Sequence, residues 1–252
     1  MKKIHLTTGP HPWMTRVAAG GLLLFMAFWP CGAQRTPSSP LGPVSPRTGL
    51  MVTDRVVLRL IGASSGDLAF DHVICGRMVR HRETAEGIFH GMGQDFGGPD
   101  LDPSWNEFDF EAIVGAYLDL HPDERPDPEA SAGGFSRLLR NALHAWTEDR
   151  LPAPLPERWR QFEERVRQGL AAMAAQAGDG RRILLVSSGG AIATALSHVL
   201  QAPPSAMVHM NLQLRNSSVS HLYFNGRVVH FSGFNHAPHL EHPERAGSVT
   251  YY

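Results

Sequence analysis

The residues best placed to do chemistry lie in Arg181-Arg-Ile-Leu-Leu-Val-Ser-Ser-Gly-Gly-Ala-Ile-Ala-Thr-Ala-Leu-Ser-His-Val-Leu200. The apolar run Ile183 to Val186 predicts a buried strand of a parallel sheet. It breaks at Ser187-Ser188-Gly189-Gly190, and an alanine- and leucine-rich helical pattern follows at once. A strand feeding directly into a helix leaves the first N–H groups of that helix without intrahelical partners. The aligned peptide dipoles favour an anion there. The two hydroxyls add hydrogen-bonding capacity, and residues without Cβ let the backbone approach a phosphate closely. The predicted chemistry is phosphate binding at Ser188 and Gly189, and a tight turn that binds nothing is the alternative. A serine-hydrolase reading fails, because a nucleophile elbow needs Gly-x-Ser-x-Gly and Val186 stands two residues before Ser188.

A second concentration of chemistry-bearing side chains is His230, His236, His239 and His242. Imidazoles so close in sequence invite a zinc reading. The acidic or cysteine partners and the helical spacing of metal motifs are missing, so neither a metal nor a cofactor is expected. His239 either lines a pocket mouth or caps its loop. Arg215 and Asn216, just ahead of a predicted strand, are candidates for reaching the phosphate site, whereas Asn211 to Leu214 reads as packing.

These residues need a scaffold, and 252 residues suffice for one substantial core with an appendage. The formal net charge of −1 marks no nucleic-acid partner. Lysine occurs only at positions 2 and 3, so every other fixed side-chain cation is an arginine, suited to bidentate phosphate contacts. The two cysteines, Cys31 and Cys75, supply no disulfide framework. Residues 1–33 carry Lys2, Lys3 and Arg16, then an apolar stretch from Val17 to Trp29 and Pro30-Cys31-Gly32-Ala33. That is the pattern of a secretory leader. The apolar stretch is shorter than the ~20 residues a membrane span needs, so no stable span is expected. The competing reading is a mis-specified gene start or frameshifted segment, with Met1-Lys-Lys-Ile-His-Leu6 a remnant of a first strand. The product is periplasmic or secreted in the first case and cytoplasmic in the second. Residues 34–51 are rich in Pro and Ser and read as a linker. A globular domain is expected over 52–252.

Within that domain, Val56–Ile61 and Phe70–Cys75 predict strands, and helices are predicted at about 78–92, 110–119, 132–147 and 155–176. The strand at 183–187 and its helix to about 200 follow. A hairpin then pairs Ser218–Phe224 with Val228–Phe234 through Asn225-Gly226. Strands alternating with helices imply a mostly parallel sheet covered on both faces.

Three further segments carry a family resemblance. Arg77-Met-Val-Arg80-His-Arg-Glu-Thr-Ala-Glu86 resembles the Arg-x-x-Glu-Thr-Ala signature of the histidine phosphatase (phosphoglycerate mutase-like) superfamily. Trp105-Asn106-Glu107-Phe108-Asp109 resembles the segment that delivers the family's catalytic acid. Val186-Ser-Ser-Gly-Gly190, Asn211 to Ser218 and Ser232 to Leu240 resemble the C-terminal half of a bacterial branch with Ser-Ser-Gly-Gly in place of Ser-His-Gly-Gly. The resemblance spans about residues 69–252. It implies a three-layer α/β/α sandwich with a mostly parallel central sheet, a helical insertion and a phosphate pocket at the carboxyl ends of the strands.

The chemistry it implies runs through a phosphohistidine. A histidine of an Arg-His-Gly motif attacks phosphorus, arginines and a second histidine hold the phosphoryl oxygens, and a carboxylic acid protonates the leaving alcohol. By this resemblance Arg80 clamps phosphate, against the alternative of an exposed helix cation. Glu107 is the general acid, with Asp109 the alternative if the register slips. Ser188 replaces the second histidine, offering a hydroxyl without positive charge. No Arg-His-Gly occurs anywhere in the chain. Arg80-His81-Arg82 lacks the glycine and lies downstream of where a nucleophile belongs, and His5 and His11 have no supporting context. The expected function is phosphomonoester hydrolysis, weak or lost, on a phosphorylated small molecule or phosphoprotein. A non-catalytic phosphoester-binding protein on the same fold, or a truncated or frameshifted product, remains the alternative. Substrate identity and oligomeric state stay open.

Overall fold

The computed structural model describes residues 24–26, 70–125, 132–152, 154–175, 182–224 and 228–241. In chain order the strands are β1 (Leu24–Met26), β2 (His72–Cys75), β3 (Asp100–Leu101), β4 (Ile183–Ser187), β5 (Val219–Phe224) and β6 (Val229–His236). The helices are α1 (Val79–Met92), α2 (Phe110–Leu120), α3 (Ala132–Thr147), α4 (Trp159–Ala175), α5 (Gly189–Val199) and α6 (Pro204–Gln213). Short 3-10 turns lie at Pro103–Trp105, Pro122–Glu124 and Pro238–Leu240.

Local chemistry sets several of these boundaries. Asp109 caps α2 by accepting the Ala112 N–H at 3.0 Å. The helix predicted to begin near 155 begins instead at Trp159. Proline at 156 disfavours helical geometry at Leu155, and the new start is fixed where Gln161 Oε1 accepts the Arg158 N–H at 2.8 Å. α6 had no counterpart in the sequence reading. Its signal is Pro203-Pro204, since proline at the first helical position gives up only an N–H that has no partner there anyway.

The strand order is β3-β2-β4-β1-β5-β6. β2 runs parallel to both β3 and β4, with Val73 opposite Leu184 and Cys75 opposite Val186. Every residue of β4 is buried. A strand covered on both faces needs an apolar side chain at every position, which explains its unbroken Ile-Leu-Leu-Val run. α1 packs on β2 and β4, while α5 packs on β1 and β6 and is closed off by α4 and α6. Nine consecutive residues of α5, Gly189 to Ser197, are buried. A helix apolar all round is a core helix, so its N-terminus is delivered into the interior and away from bulk water.

The sheet is less uniformly parallel than its sequence suggests. β5 and β6 form the expected antiparallel hairpin, whose Asn225-Gly226 turn lies outside the described residues. β1 is the larger departure. Residues 24–26 belong to the apolar stretch read as leader-like, yet they lie between β4 and β5, antiparallel to the first and parallel to the second. Two interior strands left apart would each bury a row of unpaired N–H and C=O groups, and a short apolar segment satisfies part of both rows. Val56–Ile61, the linker 34–51 and the remainder of the first 33 residues lie outside the described residues.

Phe108, Trp146, Trp159 and Phe162 form one aromatic cluster, with neighbouring ring centroids 5.0–6.1 Å apart. It joins the segment before α2 to α3 and α4. Glu107 immediately precedes the first of these rings, so its backbone is anchored by the core rather than by a free loop.

Candidate functional site

Three chain segments meet at the carboxyl end of β4. The first is the opening turn of α1, carrying Arg80 and His81. The second is the bend at Ser188, which is the N-cap of α5 with an extended backbone (φ −109°, ψ 173°). The third is the stretch from Asp102 to Asp109. Ser187 Oγ donates to the Trp105 carbonyl at 2.7 Å, fastening the third segment to the second. The Arg77 N–H donates to Asn106 Oδ1 at 2.6 Å, fastening it to the first.

Arg80 is partly buried and points inward. Its Nε and Nη2 donate to Ser188 Oγ at 3.2 and 3.0 Å, across 108 residues of sequence. The expectation of an exposed helix cation is therefore set aside. The same hydroxyl lies 2.7 Å from His81 Nε2. With both oxygen lone pairs engaged by the guanidinium, the hydroxyl proton is directed to His81 Nε2, which sets the proton of a neutral ring on Nδ1. His81 is fully buried, and its Nδ1 has no hydrogen-bond partner. Burial, and secondarily the Arg80 cation, depress its pKa to about 3, against a smaller opposing pull from the Gly76 backbone. The ring fits only because residue 76 has no side chain: a Cβ there would stand 2.5 Å from the Trp105 carbonyl and inside the imidazole.

Glu107 completes the cluster. Its Oε2 accepts the Gly190 N–H at 2.9 Å and its Oε1 accepts the Phe108 N–H at 3.0 Å. The carboxyl group thus sits at the amino end of α5, where the peptide dipoles favour an anion. Burial nevertheless dominates and raises its pKa, with the Gly190 N–H and the Arg80 cation opposing the shift. Arg80 is moved in the matching sense: burial lowers its pKa while Glu107 raises it. Arg165 holds the acid's chain segment from behind. Its Nη1 donates to the carbonyls of Pro103, Ser104 and Asn106 at 3.3, 3.0 and 2.8 Å. Its other nitrogens form a bidentate pair with Glu157 at 2.6 and 2.8 Å, and its guanidinium lies over the Phe162 ring. Asp109, the alternative acid, is exposed and occupied in capping α2.

The other expectations divide. Arg215 is tied to Asn235 through backbone and side chain and lies 3.8 Å from Glu241, which draws it to β6 and the segment after it. Asn216 is nearly buried. His239 is buried with its Nε2 2.9 Å from Ser217 Oγ, which fits a loop fastener rather than a pocket mouth. His221 and His236 face each other with ring centroids 6.0 Å apart. Among the described residues, no three His, Cys, Asp or Glu side chains gather as a metal site would require. His242 lies outside them. The site residue that sequence reading passed over is His81. Its spacing to Thr84, Ala85 and Ile88, all buried, already placed it on the inward face of α1.

This geometry agrees with what the chain is similar to. A family model of the histidine phosphatase superfamily (branch 1) matches residues 50–237. The chain belongs to the histidine phosphatase superfamily. Among solved structures, a phosphoglycerate mutase from Bacillus anthracis str. Sterne is 16% identical, with TM-score 0.53, covering 86% of this chain and 94% of its own. A phosphoserine phosphatase mutant from Entamoeba histolytica, in complex with phosphoserine, is 19% identical, with TM-score 0.52, covering 87% and 98%. An alpha-ribazole phosphatase from Shigella flexneri is 17% identical, with TM-score 0.50, covering 77% and 87%. At such identities the likeness establishes the histidine-phosphatase fold. No curated protein matches the chain.

Two outcomes follow from the packing of this site. A Cβ at Gly190 would overlap Glu107 Oε1 and two ring atoms of Phe108. Gly190→Ala ordinarily helps a helix by up to ~1 kcal/mol, but here overpacking should destabilise by about 1–3 kcal/mol in urea unfolding. Wild-type stability in that variant would contradict the close seating of Glu107. The second outcome concerns acid. Folded His81 stays unprotonated down to about pH 3, whereas in the unfolded chain it takes up its proton near 6.5. Its contribution is whole above pH 6.5 and is lost as pH falls toward 3, at up to ~1.4 kcal/mol per pH unit. The difference in stability between wild type and His81→Asn should therefore shrink across that window. A pH-independent difference would place His81 elsewhere.

Proposed function

We propose that this protein binds phosphomonoesters at Arg80, Ser188 and the amide-rich start of α5, and hydrolyses them weakly or not at all. The observation that carries this reading is the meeting of the Arg80 guanidinium with the Ser188 hydroxyl beside a half-buried carboxyl at a helix N-terminus. In the resting protein, Ser188 Oγ and the Glu107 carboxyl occupy the hydrogen-bonding positions that phosphoryl oxygens would take. An entering phosphoryl group exchanges the Arg80–Ser188 bonds for Arg80–phosphoryl bonds and takes the N–H of Gly189. Dianion charge is met by one guanidinium and the helix dipole.

Glu107 is the group suited to protonate the leaving alcohol. Desolvation raises its pKa, the direction a general acid needs, and Arg165 with the Phe108 ring fixes the segment that carries it. An open groove of about 470 Å³, lined by Asn106, Glu107, Asp109, Gln161 and Arg165, leaves room beside the acid for a polar leaving group. That supports a phosphorylated small molecule or an exposed phosphorylated side chain as ligand. The absence of any Arg-His-Gly accounts for weak turnover. Binding without turnover is the second reading, favoured by Ser188, which is fully buried and brings no positive charge where most of the family has a histidine.

Inorganic phosphate at about 100 times its Kd should stabilise the folded chain by roughly 2.7 kcal/mol, seen as a rise in Tm. Arg80→Ala should lose that rise while unfolding cooperatively. A wild-type Tm indifferent to phosphate would overturn the reading. Steady turnover of an aryl phosphate within the usual enzyme range of about 1–1,000 per second would overturn its second half.

A further inference from the structure

His81 is the member of the cluster to which neither the fold nor phosphate binding assigns a task. It lies in the opening turn of α1, fully buried, with one ring nitrogen against Gly76 and the other 2.7 Å from Ser188 Oγ. A structural histidine at such depth usually has both nitrogens satisfied. Here Nδ1 makes no well-formed hydrogen bond and has only the Gly76 backbone beside it, and Nε2 meets a hydroxyl oxygen that also accepts two N–H groups from Arg80. An oxygen held by a guanidinium and touching an imidazole nitrogen occupies the place of a phosphoryl oxygen. Ser188 therefore marks where the phosphoryl group of a ligand would come to rest. Its side chain makes no capping bond to α5, and its hydrogen-bonding contacts are with Arg80 and His81.

We propose that His81 Nε2 is the phosphoryl acceptor of this site, taking the role that the missing Arg-His-Gly histidine would play. This rests on the phosphate-binding reading above. The Nε2 lone pair forms a bond to phosphorus as the bond between phosphorus and the ester oxygen breaks. The departing oxygen takes the Glu107 proton and leaves as the alcohol. Arg80 holds the phosphoryl oxygens throughout. Water then attacks phosphorus, returns its proton to the Glu107 carboxylate and releases phosphate, and the lone pair goes back to Nε2. Ser188 is the poorer acceptor, because its hydroxyl would have to surrender a proton to an imidazole that resists protonation. The same weak basicity makes His81 a slow nucleophile. The depth of His81 in the core keeps water from the phosphorylated ring, so the phosphoenzyme should persist and turnover should stay low.

The test is a rapidly quenched reaction of the full chain with excess para-nitrophenyl phosphate, stopped within the first turnover. Intact mass, acid and alkali treatment, and peptide mapping follow. The expected product is one phosphoryl group per chain, labile to acid, stable to alkali, and located on His81. In His81→Gln the amide oxygen can accept the Ser188 hydroxyl proton in place of Nε2, so a purely structural role would be rescued. The proposal requires that this variant and His81→Asn lose the label at least about 1,000-fold while still unfolding cooperatively. Three results overturn it: label persisting in His81→Gln, acid-stable label on Ser188, or a wild type that binds phosphate and takes no label. A wild type without the Tm response would remove the phosphate site itself, and the acceptor with it.

Discussion

Everything at this site depends on a hydrogen-bonded closure between residues far apart in the chain, the Arg80 guanidinium on the Ser188 hydroxyl at 3.0 and 3.2 Å. One partner belongs to the first turn of α1 and the other to the bend where β4 becomes α5. Because α1 packs on β2 and β4, and β2 pairs with β4 in parallel register, both termini are brought to the carboxyl edge of the sheet. Crevices at that edge are where open α/β sheets bind ligands, since helix N-termini converge there. The contact is also the place where a buried cation is compensated. Arg80 loses hydration on burial and recovers part of it from Ser188 and from the nearby Glu107 carboxyl.

Glu107 illustrates how the fold tunes an ordinary carboxyl group. Two opposing influences act on it: desolvation favours the acid, while the Gly190 N–H and Arg80 favour the carboxylate. Desolvation is the larger influence, and the neighbouring Phe108 is itself buried among the Trp146 and Phe162 rings. The Arg165 clamp adds position without much charge, since its guanidinium is already paired with Glu157. Glu107 is thereby held both protonatable and in register, two properties that a surface carboxylate on a mobile loop lacks.

Much of this was legible in the residues. Period-3.6 patterns located α1, α2 and α3 to within a residue, and the Ile183–Val186 run with Ser-Ser-Gly-Gly located β4, its bend and α5. The Arg-x-x-Glu-Thr-Ala and Trp-Asn-Glu segments singled out Arg80 and Glu107 by resemblance, and the structure sets Arg80 on Ser188 and Glu107 on the Gly190 N–H two residues further on. What escaped has physical reasons. His81 was weighed as a motif fragment rather than as a helix position, although its spacing to Thr84, Ala85 and Ile88 gave its burial. α6 carries a weak amphipathic pattern, so its proline start was the clearer sign. The seating of Leu24–Met26 between β4 and β5 depends on a vacancy in the sheet, a tertiary condition that no local pattern expresses. Asp109 and Glu107 were separable only by knowing which of them caps α2.

The central claim is that Arg80 and the bend after β4 form one oxyanion pocket. Tungstate, a tetrahedral oxyanion with strong anomalous scattering, tests it most directly in a crystal of the full chain. The account predicts a single strong peak whose oxygens lie within about 3.2 Å of Arg80 Nη2 and the Gly189 N–H, with the Ser188 hydroxyl displaced. Tungstate bound elsewhere, with Arg80 still closed on Ser188, would contradict it.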